Sequence, residues 1–466
     1  MNQRSIDVAV LGGGAAGLAA VREARRRGAS ALLINDGPLG GDCTFTGCVP
    51  SKTLIESARR GLGFDEAFAR VRSVVAAVAE AENAEVLRGE GVEVVEAEGT
   101  LVGPGRLRAD GIEWTAKGVV LAIGGRPAVP PIPGLAAAEP LTSDTLWELA
   151  AAPARLAVIG GGAIGCELGQ ALATLGVAVT VVEMAPRLLP GEESAASNVV
   201  TRALTAAGVD VRTGVGVASV DRGPGVAAPG TEAVLRLDDG STVVCDRIVV
   251  AAGRTPNSDR AGLVEAGVML DERGHVAAGD DLATNLSRTW VAGDLSGKAA
   301  LTHAADHMGR LAAGNVLRRI GRGRFRAEEI PRVTFTDPEV ASVGMSEAEA
   351  AARWGERARV AELPLSEHDR ALSAGSIDGY LKIVAGPKAP TGTLGGGRVV
   401  GATVVAERAG EVLAELTLAL RLRTHIGRVA LTVHPYPTWS YGVPKAMAQF
   451  FTTVEGRTAR PARPTP

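Results

Sequence analysis

Short apolar runs separated by glycine clusters mark the first part of the chain. The segment IDVAVLGGGAAGLAA (residues 6–20) has the pattern of an apolar strand, a glycine-rich turn and the start of a helix. A second apolar run, SALLIND (residues 30–36), follows that helix. The order strand, glycine turn, helix and strand predicts a Rossmann-like unit in which the turn carries the chemistry.

The glycine turn has the spacing that dinucleotide-binding loops use. Gly12, Gly14 and Gly17 form a G-x-G-x-x-G triplet directly after the strand. Such glycines allow a tight turn, let the backbone approach a pyrophosphate and bring helix and strand close together. The helix N-terminus then offers its N–H groups to the phosphates. Asn35 and Asp36 occupy the end of the second strand, where an acidic residue usually binds the ribose, and we expect them to bind it.

The same pattern returns in RLAVIGGGAIGCELGQALATLGVAVTVVEM. Its triplet is Gly160, Gly162 and Gly165, and Glu183 ends its second strand. A carboxylate in that position accepts hydrogen bonds from both ribose hydroxyls and repels a 2′-phosphate, which favours NAD over NADP. Arg187 nearby leaves NADP open. Two dinucleotide-binding units in one chain predict FAD together with a nicotinamide cofactor, NAD(P)H.

The composition is that of a globular protein with several domains. The chain has 466 residues, of which 46% are hydrophobic and 22% charged, and this length suffices for two or three domains. A net charge of −3 provides no basic field for nucleic acid or for an anionic membrane surface. No apolar run is long enough to cross a bilayer, and the start passes into a strand without a signal-peptide pattern. We therefore expect a cytoplasmic protein that binds neither nucleic acid nor membrane.

Two of the four cysteines lie close together in the segment GGDCTFTGCVPSK (residues 40–52). Cys43 and Cys48 are compatible with a structural disulfide, with half of a metal site or with a disulfide that opens and closes during turnover. A reducing compartment disfavours the structural disulfide, and a tetrahedral zinc site needs two further ligands at suitable spacing. Cys166 and Cys245 are isolated among apolar residues, and we predict that both are core residues.

Taken together, these segments resemble the pyridine nucleotide–disulfide oxidoreductase family, the group of lipoamide dehydrogenase, glutathione reductase and mercuric reductase. The resemblance covers nearly the whole chain: both glycine triplets, the cysteine segment with Pro50, Ser51 and Lys52, the motif TNLSRTWVAGD that ends in Asp294, and the segment FTDPEVASVG. It implies an α/β fold with two Rossmann-like dinucleotide-binding domains, for FAD and NAD(P), and an α+β C-terminal dimerisation domain. The implied boundaries are 1–150 and 255–330 for a discontinuous FAD-binding domain, 151–254 for the NAD(P)-binding domain and 331–466 for the dimerisation domain.

The resemblance also implies an electron path. Nicotinamide would deliver hydride to one face of the flavin, and the reduced flavin would pass two electrons to a Cys43–Cys48 disulfide on the other face. Cys48 would be the thiol next to the flavin, and Cys43 the interchange thiol that meets the substrate. Lys52 would stabilise negative charge near the flavin and pair with Glu167. Independently of the family, Cys48 begins the helical pattern CVPSKTLIESARR, and both a helix N-terminus and a lysine favour thiolate over thiol.

Four further cofactor contacts follow from the resemblance, at Gly41, Gly124, Gly253 and Asp294. Asp294 would bind the ribityl chain of the flavin. Gly124 and Gly253 lie in VVLAIGGRPAVPPIPG and IVVAAGRTPN, two segments that have the pattern of strand-to-turn crossings between domains. The protein would be a homodimer whose active site is completed across the interface and receives a small-molecule acceptor.

One motif departs from the family pattern. Members carry H-x-H-P-T-x-S-E near the C-terminus, and its second histidine, supplied by the partner subunit, is the acid and base for the interchange thiol. This chain has HPYPTWSYG, which places Tyr436 in the slot of that histidine, Tyr441 in the slot of the glutamate and His434 in that of the outer histidine. A phenol, with a pKa of about 10, mostly donates a hydrogen bond, whereas imidazole, at about 6.5, takes and returns a proton. The change disfavours efficient lipoamide or glutathione turnover.

The sequence leaves several alternatives open. Mercuric reductase has a tyrosine at the slot of Tyr436, where a phenol helps to bind a soft metal held by thiolates. Residues 1–466 contain neither the C-terminal cysteine pair of that group nor its N-terminal metal-binding domain, and we expect neither to take part. Tyr436 is otherwise a packed aromatic at a subunit interface, and His307 in LTHAADHMGR is a second candidate for the missing base. The expected acceptor is first a disulfide, second a metal ion such as Hg(II) and third a quinone, and the remaining alternative is a non-enzymatic flavoprotein subunit.

Overall fold

The computed structural model describes residues 2–222 and 232–464 as two compact units, each built from separate stretches of the chain. The first unit comprises Met1–Ala154, Val220–Ala233 and Asp246–Ala327. The second unit comprises Arg155–Ser219, Val234–Cys245 and Glu328–Pro466. Both contain helices and strands, so the predicted α/β class is confirmed. The domain boundaries given above stay a prediction.

A parallel sheet organises the first unit. Its strands follow the order Glu93–Glu96, Ala31–Asn35, Asn2–Leu11, Ile112–Leu121 and Thr289–Val291. The side chains of residues 8–11 and 31–34 are all buried, which means that both faces of the sheet are covered. Burial on both faces explains why these strands are continuous apolar runs rather than alternating ones.

Helices cover this sheet, and two of them bring distant segments together. The α-helices of the unit are Ala15–Arg26, Gly41–Phe45, Cys48–Arg59, Phe64–Ala81, Ala84–Gly89 and Thr302–Leu317, and its other strands are Thr100–Gly103, Arg106–Ala109, Gly125–Pro127, Arg247–Val250 and Arg254–Pro256. The first and last of these helices pack against each other. Their backbones approach closely at Gly309, where a Cβ would lie 2.0 Å from the carbonyl oxygen of Ala16.

The second unit begins with a smaller parallel sheet, as its glycine triplet predicts. Its strands follow the order Asp210–Thr213, Ala178–Glu183 and Arg155–Ile159, and its helices are Ala163–Thr174 and Ser194–Ala206. The strands Val217–Arg222, Ala233–Leu237 and Thr242–Cys245 lie where the chain passes in sequence from one unit to the other. Cys166 and Cys245 are both buried, as predicted.

The C-terminal part of the second unit is an antiparallel sheet with helices, and it carries no glycine triplet. Its strands follow the order Arg332–Thr334, Glu339–Gly344, Arg398–Ala406, Tyr380–Gly386, Arg359–Pro364 and Arg460–Pro461. Its α-helices are Glu347–Trp354, Asp369–Ala374, Ala409–Arg421, Ile426–Ala430 and Gly442–Ala448. One apolar core, which includes Leu363, Ile383, Val404 and Leu413, joins the sheet to the helices. Among the residues that the structure describes, no helix is both long and apolar enough to cross a membrane.

Candidate active site

The first glycine turn has the geometry of a phosphate-binding loop. Gly12 has φ = +105°, and a Cβ at this position would lie 2.4 Å from the carbonyl oxygen of Ala122, while a Cβ on Gly17 would lie 1.8 Å from that of Gly12. The backbone itself therefore requires these two glycines. At Gly14, which precedes the helix Ala15–Arg26, a Cβ would meet no described atom within 4 Å. The absent side chain leaves open space at the helix N-terminus, whose unpaired N–H groups fit a pyrophosphate.

Asn35 closes this loop from the end of the second strand. Its Oδ1 accepts a hydrogen bond from the backbone N–H of Gly13 at 2.7 Å, and its Nδ2 donates to the carbonyl oxygen of Gly37 at 2.5 Å. Asp36 is exposed beside it. The Asn35 amide is thus engaged by the backbone, whereas the Asp36 carboxylate faces solvent. Ribose binding by either residue stays a prediction.

The second glycine turn repeats this construction. Gly160 has φ = +113°, and a Cβ on Gly165 would lie 1.9 Å from its carbonyl oxygen. A Cβ on Gly162 would again meet no described atom within 4 Å, directly before the helix Ala163–Thr174. Each unit therefore offers one open helix N-terminus to a dinucleotide, in agreement with the two cofactors that the sequence predicts.

The carboxylate of Glu183 is held beside the second turn. Its Oε2 accepts from the backbone N–H of Gly161 at 2.6 Å, and its Oε1 accepts from that of Ala185 at 2.7 Å. Arg187 donates to the carbonyl oxygens of Leu189 at 3.1 Å and Pro190 at 2.8 Å. The Arg187 guanidinium, which was the reason to keep NADP as an alternative, therefore forms hydrogen bonds within its own loop.

The two cysteines of the 40–52 segment come together. Cys43 lies in the short helix Gly41–Phe45, and Cys48 is the first residue of the helix Cys48–Arg59. A hydrogen bond between the two thiols, together with burial, raises the pKa of Cys43 above its ordinary value. Because the thiols interact, removal of the first proton leaves a thiolate that accepts from the remaining S–H. The pair can thus hold one negative charge and one proton together.

Thr302 reaches the same pair from a distant part of the chain. Its Oγ1 lies 3.2 Å from the Sγ of Cys48, although the two residues are 254 positions apart. Its hydroxyl also opposes the rise in the pKa of Cys43. Thr302 begins the helix Thr302–Leu317, so the hydroxyl and the helix N-terminus act in the same sense, towards the thiolate. Our sequence analysis missed this residue, because no local pattern signals a contact over that separation.

Two glycines attach the cysteine segment to the first glycine turn. Gly40 and Gly41 have φ values of +112° and +59°. The backbone N–H of Gly40 donates to the carbonyl oxygen of Gly13 at 2.9 Å, and a Cβ on Gly41 would lie 2.9 Å from the Cα of Gly14. The cysteine pair is therefore built onto the loop that fits the pyrophosphate.

Asp294 belongs to an ion-pair network that the sequence did not reveal. Arg254 donates to Asp294 at 3.1 Å, to the carboxylate of Asp42 and to the carbonyl oxygen of Gly125 at 2.7 Å. Burial raises the pKa of Asp42, and Arg254 acts against that rise. One guanidinium thus links the residue before Cys43 to the predicted ribityl ligand.

Gly124 and Gly253 occupy equivalent positions in this unit. They have φ values of +62° and +112° and directly precede the antiparallel strand pair Gly125–Pro127 and Arg254–Pro256. A left-handed backbone conformation explains the glycine at each position. Contact of either residue with a cofactor stays a prediction.

Lys52 and Glu167 are both less exposed than isolated surface charges usually are. Lys52 is half-buried one helical turn after Cys48, and its Nζ donates to the Ser51 hydroxyl at 3.3 Å. Glu167 is 5% exposed, and its Oε1 accepts from the backbone N–H of Phe335 at 2.8 Å. Because it is buried, Glu167 is not a solvated charge on the surface of its helix. The Lys52–Glu167 pair itself stays a prediction.

A cavity of 280 Å³ opens beside Cys43 and Thr302. Three acidic and three basic side chains line it: Glu23, Glu82, Asp306, Arg22, Arg26 and Arg310. Arg26 pairs with Glu23 at 2.8 Å, and Arg310 pairs with Asp306 at 2.8 Å. The cavity therefore carries balanced charge next to the thiol, on a wall that also includes the apolar side chains of Ala15, Leu18 and Ala19.

Comparison with known families agrees with this geometry. The profile described as pyridine nucleotide-disulphide oxidoreductase matches residues 6–309, and that of the dimerisation domain of the same family matches residues 330–447. The chain belongs to this family. Its members depend on FAD and a pyridine nucleotide, so this chain is an NAD(P)H-dependent flavin disulfide oxidoreductase.

The similar proteins carry different names. Dihydrolipoyl dehydrogenase of Thermus scotoductus is 31% identical over 463 residues, which cover 95% of this chain and 97% of the relative. Mercuric reductase of Bacillus cereus is 31% identical over 462 residues, which cover 95% of this chain and 71% of the relative. The crystal structure of LpdA from Mycobacterium tuberculosis has a TM-score of 0.85 at 29% identity, over 97% of this chain and 100% of that one. The family is thus settled, whereas the acceptor varies among the relatives.

Tyr436 and Tyr441, which the sequence analysis assigned to the slots of the family's histidine and glutamate, contact each other. Their rings meet edge to face with centroids 5.3 Å apart. Tyr436 is 63% exposed, and its hydroxyl donates to Oδ2 of Asp369 at 3.0 Å. That hydrogen bond raises the pKa of Tyr436 above its ordinary value. Asp369 is a further residue that our sequence analysis missed.

His434, assigned to the slot of the outer histidine, and His307, the second candidate for the missing base, have different surroundings. His434 is almost buried, and its ring nitrogens lie 2.8 Å from both the carboxylate of Glu415 and the carbonyl oxygen of Thr432. Burial lowers the pKa of His434, but these two hydrogen bonds outweigh it and raise the pKa overall. His307 lies within the helix Thr302–Leu317, with its ring 6.0 Å from that of Phe325. The role of His307 stays a prediction.

Proposed function

We propose that this flavoenzyme passes two electrons from NAD(P)H to a small polar acceptor through Cys43 and Cys48. The observation that carries the proposal is the hydrogen bond between the two thiols. Thr302 contacts Cys48, and both Thr302 and Cys43 line the 280 Å³ cavity. Bound FAD supplies the two-electron link between the nicotinamide and this pair. Cys43 lines the cavity, which supports its role as the interchange thiol and leaves Cys48 as the thiol nearer to the cofactor.

The cysteine chemistry balances for a disulfide acceptor. The reduced Cys43 sulfur attacks one sulfur of the acceptor, forms a mixed disulfide and releases the first thiol with one proton. The Cys48 thiolate then attacks the Cys43 sulfur, re-forms the internal disulfide and releases the second thiolate, which takes a proton from water. In the net reaction, one acceptor disulfide takes up two electrons and two protons and becomes two thiols. Placing Cys48 at a helix N-terminus favours the thiolate that this second attack needs.

The remaining predicted residues would hold the cofactors and the charge that develops. FAD would lie on the turn of Gly12, Gly14 and Gly17, with Asp294 towards its ribityl chain, and Lys52 would neutralise negative charge beside Cys48. The nicotinamide cofactor would lie on the second turn. Glu183, fixed by two backbone N–H groups, supports a preference for NADH because a 2′-phosphate would face a carboxylate.

The charge of the cavity supports a compact polar disulfide as the acceptor. Paired carboxylates and guanidiniums favour a small molecule that carries both signs of charge, such as the disulfide of an amino thiol acid. A long alkyl arm would leave these ion pairs beside apolar surface, which is unfavourable. We therefore rank a small-thiol disulfide above a lipoyl group.

Reduction of a soft metal ion is the second candidate. Two observations favour it: the similarity to the mercuric reductase of Bacillus cereus and the presence of tyrosine at position 436. Within residues 2–222 and 232–464, no group of three or more His, Cys, Asp or Glu side chains is arranged to hold a metal. A metal substrate would therefore depend on the Cys43 and Cys48 thiolates.

An acceptor panel with cysteine variants tests the proposal. Purified holoenzyme would be assayed with NADH and with cystine, oxidised glutathione, lipoamide, Hg(II) with excess thiol, or a quinone. Replacing Cys43 by Ser should abolish disulfide and metal reduction and spare quinone reduction, while Cys245→Ala, a buried control, should behave as wild type. In anaerobic NADH titration, Cys43→Ser should keep a long-wavelength thiolate-to-flavin band that Cys48→Ser lacks. Unchanged disulfide reduction in Cys43→Ser would refute the proposal.

We also propose that the active site is completed in a homodimer. The dimerisation-domain match supports the dimer, as do Leu431 and Val433, which are 86% and 94% exposed just before Tyr436. Mixing Cys43→Ser with Tyr436→Phe subunits should regenerate one intact site per heterodimer. Activity of the isolated heterodimer should then rise towards half that of wild type, whereas no recovery would place both groups in one subunit.

A further inference from the structure

The hydrogen bond between Tyr436 and Asp369 fixes where the phenol proton points. An ionised carboxylate only accepts hydrogen bonds, so the phenol is the donor in the 3.0 Å contact with Oδ2 of Asp369. The Tyr436 oxygen then keeps its lone pairs for another partner. This differs from a free phenol, which offers its proton to whatever acceptor approaches.

Asp369 is held in place by its own segment. It is the first residue of the helix Asp369–Ala374, where the helix N-terminus favours a carboxylate. The preceding residue, His368, is 3% exposed, and its Nδ1 accepts from the backbone N–H of Ala371 at 3.3 Å. The buried His368 and its hydrogen bond therefore fix the backbone from which the Asp369 carboxylate extends.

The segment that carries Tyr436 packs against this turn. The ring of Trp439 stacks on that of His368 at 6.0 Å with an interplanar angle of 10°, and the guanidinium of Arg370 lies 5.5 Å from the same ring. The ring of Tyr441 contacts that of Tyr436 edge to face, with centroids 5.3 Å apart. Aromatic contacts and one hydrogen bond thus orient the exposed phenol before any substrate arrives.

We propose that Asp369 is a positioning residue that replaces the family's glutamate and forms a dyad with Tyr436. The carboxylate holds the phenol proton, so the phenol oxygen accepts a hydrogen bond from the interchange thiol and keeps that thiol protonated between attacks. The inference rests on the proposed function, in which Cys43 is that thiol. It adds to that function the atom of Tyr436, its phenol oxygen, that contacts the Cys43 thiol.

The dyad is a weak base, and its proton transfer can be written in full. The S–H proton moves to the phenol oxygen while the phenol proton moves to Asp369, and the reverse transfer returns both. A carboxylate is a much weaker base than imidazole, so this state is populated far less than the corresponding state of a histidine. The dyad therefore suits acceptors whose thiol products leave as stable thiolates. Groups of the described residues that face the dyad are Tyr441, His368 and, beyond His368, Lys445.

Tyrosine titration of the holoenzyme tests the dyad without any acceptor. The chain has only three tyrosines, so the difference between wild type and Tyr436→Phe isolates the tyrosinate absorbance of Tyr436. Asp369→Asn should lower the pKa of Tyr436 by about half a pH unit or more, because a neighbouring negative charge disappears. Asp378→Asn, at an exposed aspartate paired only weakly with Arg202 at 3.7 Å, should leave it unchanged. Equal titration in the two Asn variants would overturn the proposal.

A double-mutant cycle then tests the coupling in turnover. Asp369→Ala should lower kcat for disulfide reduction about threefold to tenfold and leave quinone reduction unchanged, and it should have no further effect in Tyr436→Phe. Additive losses, or equal losses with the quinone, would show a merely structural role and overturn the dyad. The titration does not depend on Cys43, so failure of the dyad and failure of the proposed function are distinguishable.

Discussion

The hydroxyl of Thr302 offers a direct test of how the cysteine pair is stabilised. Replacing Thr302 by Val keeps the branched shape of the side chain and removes the oxygen that lies 3.2 Å from the Sγ of Cys48. The hydroxyl donates to a thiolate but has much less to offer a thiol, so its loss should raise the pKa of the pair. Hydrogen bonds to charged groups contribute about 1.5–3 kcal/mol, and we take about 1 kcal/mol for a sulfur acceptor at this length.

That energy translates into a measurable shift. One kcal/mol corresponds to about 0.7 pH unit, since one unit equals about 1.36 kcal/mol. At a pH below the pKa, the thiolate fraction should fall about fivefold. The helix N-terminus at residue 302 remains in the variant, so part of the stabilisation should persist.

The assay is the pH dependence of the long-wavelength band of the two-electron-reduced enzyme under anaerobic conditions. The apparent pKa should be about 0.7 unit higher in Thr302→Val than in wild type, with an equal flavin content. Thr205→Val, which removes an exposed helical hydroxyl bonded to the carbonyl oxygen of Thr201, is the matched control and should not shift the curve. Coinciding curves for all three proteins would refute the role of the hydroxyl.

Three other outcomes follow from contacts described above. Gly17→Ala should lose FAD, seen as a low flavin-to-protein absorbance ratio, because its Cβ would lie 1.8 Å from the carbonyl oxygen of Gly12; a stoichiometric holoenzyme would contradict this. Glu183→Gln should lower the NADH-to-NADPH ratio of kcat/KM about tenfold, since about 1–2 kcal/mol of repulsion of the 2′-phosphate is removed; an unchanged ratio would exclude that role. His434→Gln should destabilise the protein by about 1 kcal/mol at pH 5–6 and by less towards pH 8. The reason is that Glu415 raises the pKa of His434 in the folded state, and a raised pKa stabilises the fold below the unfolded pKa and loses that contribution as pH rises. Denaturation midpoints that differ equally from wild type at both pH values would count against this explanation.

Local patterns carried the fold and the cofactor loops. The spacing of the glycines at 12, 14 and 17 predicted a turn and a helix start, and the structure shows a backbone that admits no Cβ at two of these positions. Apolar runs predicted the strands of a Rossmann-like unit, and residues 8–11 and 31–34 lie in such strands and are buried. The contact of Cys43 with Cys48 was also local, because the two residues lie on a short helix and at the start of the next one.

Long-range partners of the site could not be read from such patterns. Arg254 reaches Asp42 across 212 positions, and Asp369 reaches Tyr436 across 67. In each case a common charged residue gains its role only from the packing that brings it to its partner. The position of Tyr436 in the family's motif was visible in the sequence, but the direction of its proton was not.

The sequence by itself determined the two dinucleotide turns, the cysteine pair and the altered C-terminal motif, since each depends on residue type and spacing within a few turns of the chain. Only the tertiary structure decided what surrounds them: Thr302 beside the thiols, the balanced charge of the cavity and Asp369 beneath the phenol. The physical reason is that glycine spacing limits the backbone locally, whereas the pKa of a thiol or a phenol depends on groups that folding alone brings within a few ångströms.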